Sequence, residues 1–96
     1  MFVGALEFDI LLGDVHSLKE KRSVIRPIIA DLKRFEVSVT EGGDHDRYRR
    51  TMIAVAMVGY GMNHLTEVLD KCERHVANRP ELQLLAVRRR VFGPED

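Results

Sequence analysis

The sequence has little of what marks disulfide-stabilised, membrane-spanning or secreted proteins. Its 96 residues include one cysteine, Cys72, so no disulfide can form within the chain. No run of apolar residues approaches the roughly 20 that a helix needs to cross a bilayer. Residues 1–4 also lack the basic segment followed by an apolar one that a secretory signal has. We therefore expect a cytoplasmic protein that does not enter a membrane.

An excess of charge of either sign is also absent, since 15 basic residues balance 15 acidic ones. The overall charge therefore does not demand a nucleic-acid partner. The positions of the bases are more informative, because most of them fall in three clusters, at residues 19–34, 47–50 and 88–90. Local basic patches are expected although the chain as a whole is neutral.

Hydrophobic periodicity predicts the first two elements of structure. Apolar residues alternate with polar ones over residues 2–12, which is typical of a strand with one covered face. Ser17 followed by Glu20 is a capping box, and apolar residues then recur at helical spacing, so a helix is expected over residues 17–34. Pro27 lies inside this helix and is expected to bend it.

The rest of the chain predicts four further elements in the order strand, strand, helix, strand. Strands are expected over residues 35–41 and 51–59, a helix from Asn63 to a stop before Pro80, and a strand over residues 82–92. The order β-α-β-β-α-β indicates an α+β, ferredoxin-like sandwich: a four-stranded antiparallel sheet with two helices on one face, forming a single domain over residues 1–96. This fold hosts many activities, so function must be argued from sites.

A long stretch of the chain also carries a resemblance. Residues 3–58 read "VGALEFDILLGDVHSLKEKRSVIRPIIADLKRFEVSVTEGGDHDRYRRTMIAVAMV", and together with "VLDK" at residues 68–71 they resemble the YlxP-like family, a bacterial family of unknown function. The segment "HSLKEKR" is the most specific part. Tyr48 stands where that family usually has tryptophan. The resemblance implies a ferredoxin-like fold and a gene near translation and ribosome-maturation genes, and it implies no catalytic residues.

The first candidate site is a group of bases at the start of the first helix, Lys19, Lys21, Arg22 and Arg26. A helix N-terminus carries a partial positive charge, so bases are disfavoured there. A bound phosphate would compensate, because free backbone N–H groups and guanidinium groups both donate hydrogen bonds to it. A solvated helix flank is the other interpretation. Lys21 lies nearer the core side, where we expect its stem to pack and its amine to reach water.

The second candidate site lies in the turn between the second and third strands and consists of Arg47, Tyr48, Arg49 and Arg50. Such a turn can wrap a phosphate backbone and stack one base on the tyrosine. A solvated hairpin loop is the alternative. For the third cluster, residues 88–90, we expect at least one arginine on the open sheet face, paired with Glu7 or Asp9.

Other chemistries have little support in the residues. An RNA-recognition motif needs aromatic residues on its central strands, where the first strand has Glu7 and Asp9. Acylphosphatases need a glycine-and-glutamine pattern that "LLGDVHSLKEKR" lacks. Cys72 falls on an apolar helix stripe and is expected in the core. No metal or cofactor is predicted, because the spacing is unspecific among the candidate ligands His16, Glu41, Asp44, His45 and Asp46.

The residues favour a binding protein over an enzyme. We expect it to bind structured RNA or a ribosomal particle through the first helix's N-terminal flank and the turn at residues 47–50. A homodimeric effector-sensing or assembly module is the alternative, and a small phosphate-handling enzyme resembling acylphosphatase is the third candidate. An apolar open sheet face made by Val3, Ala5, Leu11 and the third strand would favour the homodimer, since monomers seldom expose large apolar areas.

Overall fold

One antiparallel sheet with both helices on one face forms the structure, a computed structural model that describes residues 1–43 and 47–96. The strand order is β2-β3-β1-β4, which confirms the ferredoxin-like arrangement. The elements along the chain are β1 (Phe2–Leu12), α1 (Leu18–Lys33), β2 (Ser38–Gly42), β3 (Arg50–Gly59), α2 (Met62–Ala77) and β4 (Leu82–Phe92). No helix in the described part of the chain is long and apolar enough to cross a membrane.

The alternation of β1 creates the core. Leu6, Phe8 and Ile10 are fully buried beneath the helices, whereas Glu7 between them is exposed on the opposite face. Because β1 lies between β3 and β4, its buried residues form one core cluster with residues of both neighbouring strands and both helices. At Gly4 the helix α2 comes so close that an added Cβ would lie 2.8 Å from Leu69 Cδ1, so a larger residue there would displace the Leu69 side chain.

The start of α1 follows the predicted capping box. The amide of Glu20 donates to Ser17 Oγ at 3.1 Å, and the Glu20 carboxylate accepts the amide of His16 at 3.2 Å. The reciprocal bond thus goes to His16 and not to the cap residue itself. Two N–H groups that the helix cannot satisfy internally are satisfied by side chains, which fixes the first helical residue at Leu18.

Removing this cap should destabilise the fold. We expect Ser17→Ala to lower the free energy of unfolding by about 1 kcal/mol, because the Glu20 amide loses its acceptor. Ser23→Ala is the matched control, since the Ser23 hydroxyl only donates back to the Glu20 carbonyl within the helix. Urea denaturation of both variants measures the difference, and equal stabilities would contradict the capping role.

Two predicted boundaries were wrong. The strand predicted at residue 35 begins at Ser38, because residues 34–36 still donate to carbonyls of the last turn of α1 and Glu36 takes a left-handed conformation, φ 62°. The second helix begins at Met62 with Gly61 as its N-cap, so Asn63 lies inside the helix. The Gly61 cap has no side chain to contribute, and no polarity pattern signals it.

Candidate nucleic-acid interface

Lys21 joins the two predicted sites. Its side chain is only 3% exposed, and its Nζ donates to the backbone carbonyl of Arg47 at 2.7 Å. The expectation that this amine reaches water was wrong, because Lys21 is buried and its amine bonds to the Arg47 carbonyl. The N-terminal turns of α1 and the turn containing Tyr48 therefore form one continuous surface.

Arg49 attaches the same turn to the end of β1. The carbonyl of Arg49 accepts the amide of Leu12 at 2.7 Å, while Arg49 Nε donates to the carbonyls of Leu12 and Gly13 at 3.3 and 3.0 Å. The turn is therefore held from two directions, by α1 and by the segment that leads into α1. The Arg49 guanidinium serves this attachment.

Arg22 meets a carboxylate of the protein itself. Its Nη1 lies 3.3 Å from Glu41 Oε1, and the other oxygen of Glu41 accepts the Thr51 hydroxyl at 3.1 Å. The Glu41 side chain is only 11% exposed, so this acid is held between α1, β2 and β3. Sequence reasoning considered Glu41 only as a weak metal ligand. Its place among the inward-facing positions of a strand was the available signal for a structural role.

Arg50 points to the other face of the sheet. Its Nη2 donates to both oxygens of Asp9, at 3.0 and 2.9 Å. Its Nε is buried and, among the described residues, has no hydrogen-bond partner. Arg50 is therefore directed away from α1, and the structure does not bring it together with the helix cations.

Three of the predicted residues present unengaged groups on this surface. Lys19 and Arg26 are exposed along α1, and the Tyr48 residue is 44% exposed in the turn; within residues 1–43 and 47–96, no ion pair or side-chain hydrogen bond engages them. Arg47 is also exposed. Because Lys21 bonds to the backbone of Arg47, these groups lie on two segments that are in direct contact.

The remaining candidates lie elsewhere. Arg89 reaches α2, where it pairs with Asp70 at 2.9 Å and Glu73 at 3.3 Å, while Arg88 stands opposite Glu7 on the open sheet face. Cys72 is buried in the core, as expected, and burial raises the pKa of its thiol. The described residues contain no group of three or more potential metal ligands, and the candidates Asp44, His45 and Asp46 lie outside those residues.

A groove of about 660 Å³ lies beside the C-terminal ends of both helices. Its polar groups engage one another: Arg79 lies between Asp31 and Glu81, at 3.0 Å from each, and Arg79 Nη1 is also 3.0 Å from His75 Nε2. The hydrogen bond from Arg79 lowers the pKa of the Asp31 carboxyl. The network stabilises the junction of α1, α2 and β4.

Comparison with known proteins places these features in a family. Residues 3–89 match the model of a family described as "Protein of unknown function (DUF503)". The uncharacterized protein YlxP of Bacillus subtilis (strain 168) is 29% identical over 91 residues, covering 94% of this chain and 99% of YlxP. A mutant of SnoaB, a cofactor-independent oxygenase from Streptomyces nogalater, aligns with a TM-score of 0.53 and 13% identity over 99% of this chain and 94% of that chain. At that identity the likeness shows the fold alone.

Proposed function

Since the chain belongs to the DUF503 family, whose function is unknown, we propose from its own surface that it acts by binding and not by catalysis, with structured RNA or a ribosomal particle as its partner. The bond from Lys21 to the Arg47 carbonyl carries this proposal, because it unites two cation-bearing segments. Each segment alone is readily explained as a solvated surface. Together they offer bases and an aromatic ring in one place.

The chemistry of this surface suits a phosphate backbone more than a small anion. Lys19 and Arg26 lie seven residues apart, two turns along the same flank of α1, so they are spaced by about 10 Å. Two cations that far apart can reach two different phosphates of one backbone more readily than they can share a single small anion. Tyr48 adds a ring on which an unpaired base can stack, which is how proteins usually read single-stranded loops of RNA.

The test is recovery of RNA with the protein. Protein purified from its native cells at low salt should carry RNA, which sequencing identifies, and the recovered RNA should bind the purified protein with an affinity that falls as salt rises. RNA recovery no higher than that of an untagged control would contradict the proposal. A salt-independent affinity would also contradict it, because phosphate contacts release counterions.

Tyr48 provides a sharper prediction for the same surface. If a base stacks on its ring, Tyr48→Ala should weaken RNA binding by about 1–3 kcal/mol without changing stability. Tyr60→Ala is the matched control, since Tyr60 is 89% exposed and follows the opposite end of β3. Fluorescence anisotropy with the recovered RNA measures both variants. If the two variants bind RNA with equal affinity, Tyr48 does not contact RNA.

A further inference from the structure

The open face of the sheet, the face that neither helix covers, has an unusual composition. At one end Val58, Val3 and Phe92 form an apolar cross-strand row, and Val58 and Phe92 are 64% and 44% exposed. The next positions along β1 and β3 are small, with Ala5 opposite Ala56. A shallow depression of about 330 Å³ lies over these alanines.

We propose that this face is the interface of a homodimer, in which the sheets of two copies pack against each other about a two-fold axis parallel to the strands. Sheets that pack face to face lie about 10 Å apart with strands nearly aligned, and a floor of alanines permits that approach. A two-fold interface uses the same patch on both copies.

The area of the face suits a stable dimer. The strands β1, β2, β3 and β4 have 11, 5, 10 and 11 residues. At about 3.4 Å per residue and about 4.8 Å between strands, they give a face of roughly 600 Å² per copy before side-chain relief is counted. Two such faces bury about 1,200 Å² or more, which is the size of a standard specific interface. The apolar row at one end and the central alanines supply the part of the interface from which water is excluded.

Charge decides the direction of the axis. On the open face the bases Arg88 and Arg90 lie on β4, at one edge of the sheet, and the acid Glu7 lies beside them on β1. An axis perpendicular to the strands would stack each strand on its own copy, placing arginines over arginines. An axis parallel to the strands stacks β4 over β2 of the partner, where Ser38 and Thr40 offer hydroxyl groups.

This second arrangement also suits Glu7. With the axis parallel to the strands, β1 stacks over β3 of the partner, so Glu7 faces the alanines of that strand. Glu7 also remains beside Arg88 of its own chain, its cross-strand neighbour. Like charges brought together in a desolvated interface are costly, so the parallel axis is favoured. Glu7 and the two arginines of β4 thus remain in separate columns.

Sedimentation equilibrium of the full chain tests the proposal. Wild-type protein should be dimeric, and Ala56→Glu should weaken self-association at least about 100-fold by placing an unpaired charge in the interface centre. Ala30→Glu is the matched control, an identical change at an exposed position of α1, and it should leave the dimer intact. A monomeric wild type overturns the proposal and implies that some other partner covers the open face. A dimer that Ala56→Glu leaves unchanged also overturns it.

A cross-linking experiment tests the axis and also covers the case in which Ala56→Glu does not fold. With Cys72→Ala as background, the variant Ser38→Cys with Arg90→Cys should give covalent dimers with a bis-maleimide that spans about 10 Å, because the two positions face each other across the interface. Arg90→Cys alone should not, whereas the perpendicular axis predicts dimers from that variant. RNA affinity per chain should be unchanged by Ala56→Glu, so failure here is distinct from failure of the RNA proposal.

Discussion

Replacing Lys21 by alanine is expected to lower the free energy of unfolding by about 2–4 kcal/mol, a large effect for a lysine. The stem of this side chain is buried, and its amine satisfies the carbonyl of Arg47. Alanine removes both contributions and leaves a cavity at the first turns of α1. RNA binding should weaken as well, although the buried amine offers no charge to RNA, because the turn bearing Tyr48 loses its attachment to the helix.

Methionine separates the two contributions. Lys21→Met retains most of the stem and loses the amine, so we expect a loss of about 1–2 kcal/mol. Lys19→Met is the matched control, the same change at an exposed position two residues earlier, and it should stay within about 0.5 kcal/mol of wild type. Amide hydrogen exchange at Leu12, which donates to the Arg49 carbonyl of the turn, should accelerate in Lys21→Met. Equal stabilities of the two methionine variants would show that Lys21 does not hold the turn.

The second large effect concerns the exposed cations of α1. Lys19→Glu combined with Arg26→Glu should weaken RNA binding at least about 100-fold at low salt, because two phosphate contacts become repulsions. The folded state should retain its stability, since both side chains are exposed and an acid at position 19 suits the N-terminal end of the helix. Arg22 is left intact in this variant, because a glutamate there would face the carboxylate of Glu41.

A matched control changes the same charges elsewhere. Lys71→Glu with Arg74→Glu alters two exposed cations of α2 by the same total charge, and it should change RNA affinity little. The milder Lys19→Gln with Arg26→Gln should reduce the slope of log affinity against log salt by about 1.4 for a single-stranded partner, at about 0.7 per phosphate lost. If both double glutamate variants weaken binding equally, RNA affinity depends only on the total charge of the protein, and the surface at α1 is not the binding site.

The fold was largely predictable because its elements carry local signals. β1 and β4 match their predicted bounds, and the cap of α1 lies at the predicted Ser17. The wrong boundaries, at the starts of β2 and α2, lie where backbone geometry and not the sequence pattern determines the end of an element. A glutamate gives no sequence signal of a left-handed backbone conformation. The positive φ of Glu36 therefore could not be predicted, and it moves the start of β2 from the predicted residue 35 to Ser38.

The candidate site was predictable only as separate segments. Clusters of bases can be read from the sequence, but which of them meet depends on where residues 47–49 lie relative to α1. Lys21 is buried and Arg22 pairs with Glu41 because of tertiary contacts. The sequence around these two residues carries no signal of either. Adjacent bases thus acquired different roles: Lys21 holds the turn, Arg22 pairs with Glu41, and Lys19 remains available.

The pairing of β1 with β4 constrains how the chain is made. Val3 stands opposite Phe92, so the sheet joins residues that the ribosome synthesises almost ninety positions apart. Until β4 emerges, one edge of β1 has no neighbour, and the core lacks the side chains of Leu82, Leu84 and Val87. Unpaired edges and exposed apolar surface favour aggregation. The edge of β1 and the core therefore stay incomplete until β4 has left the ribosome.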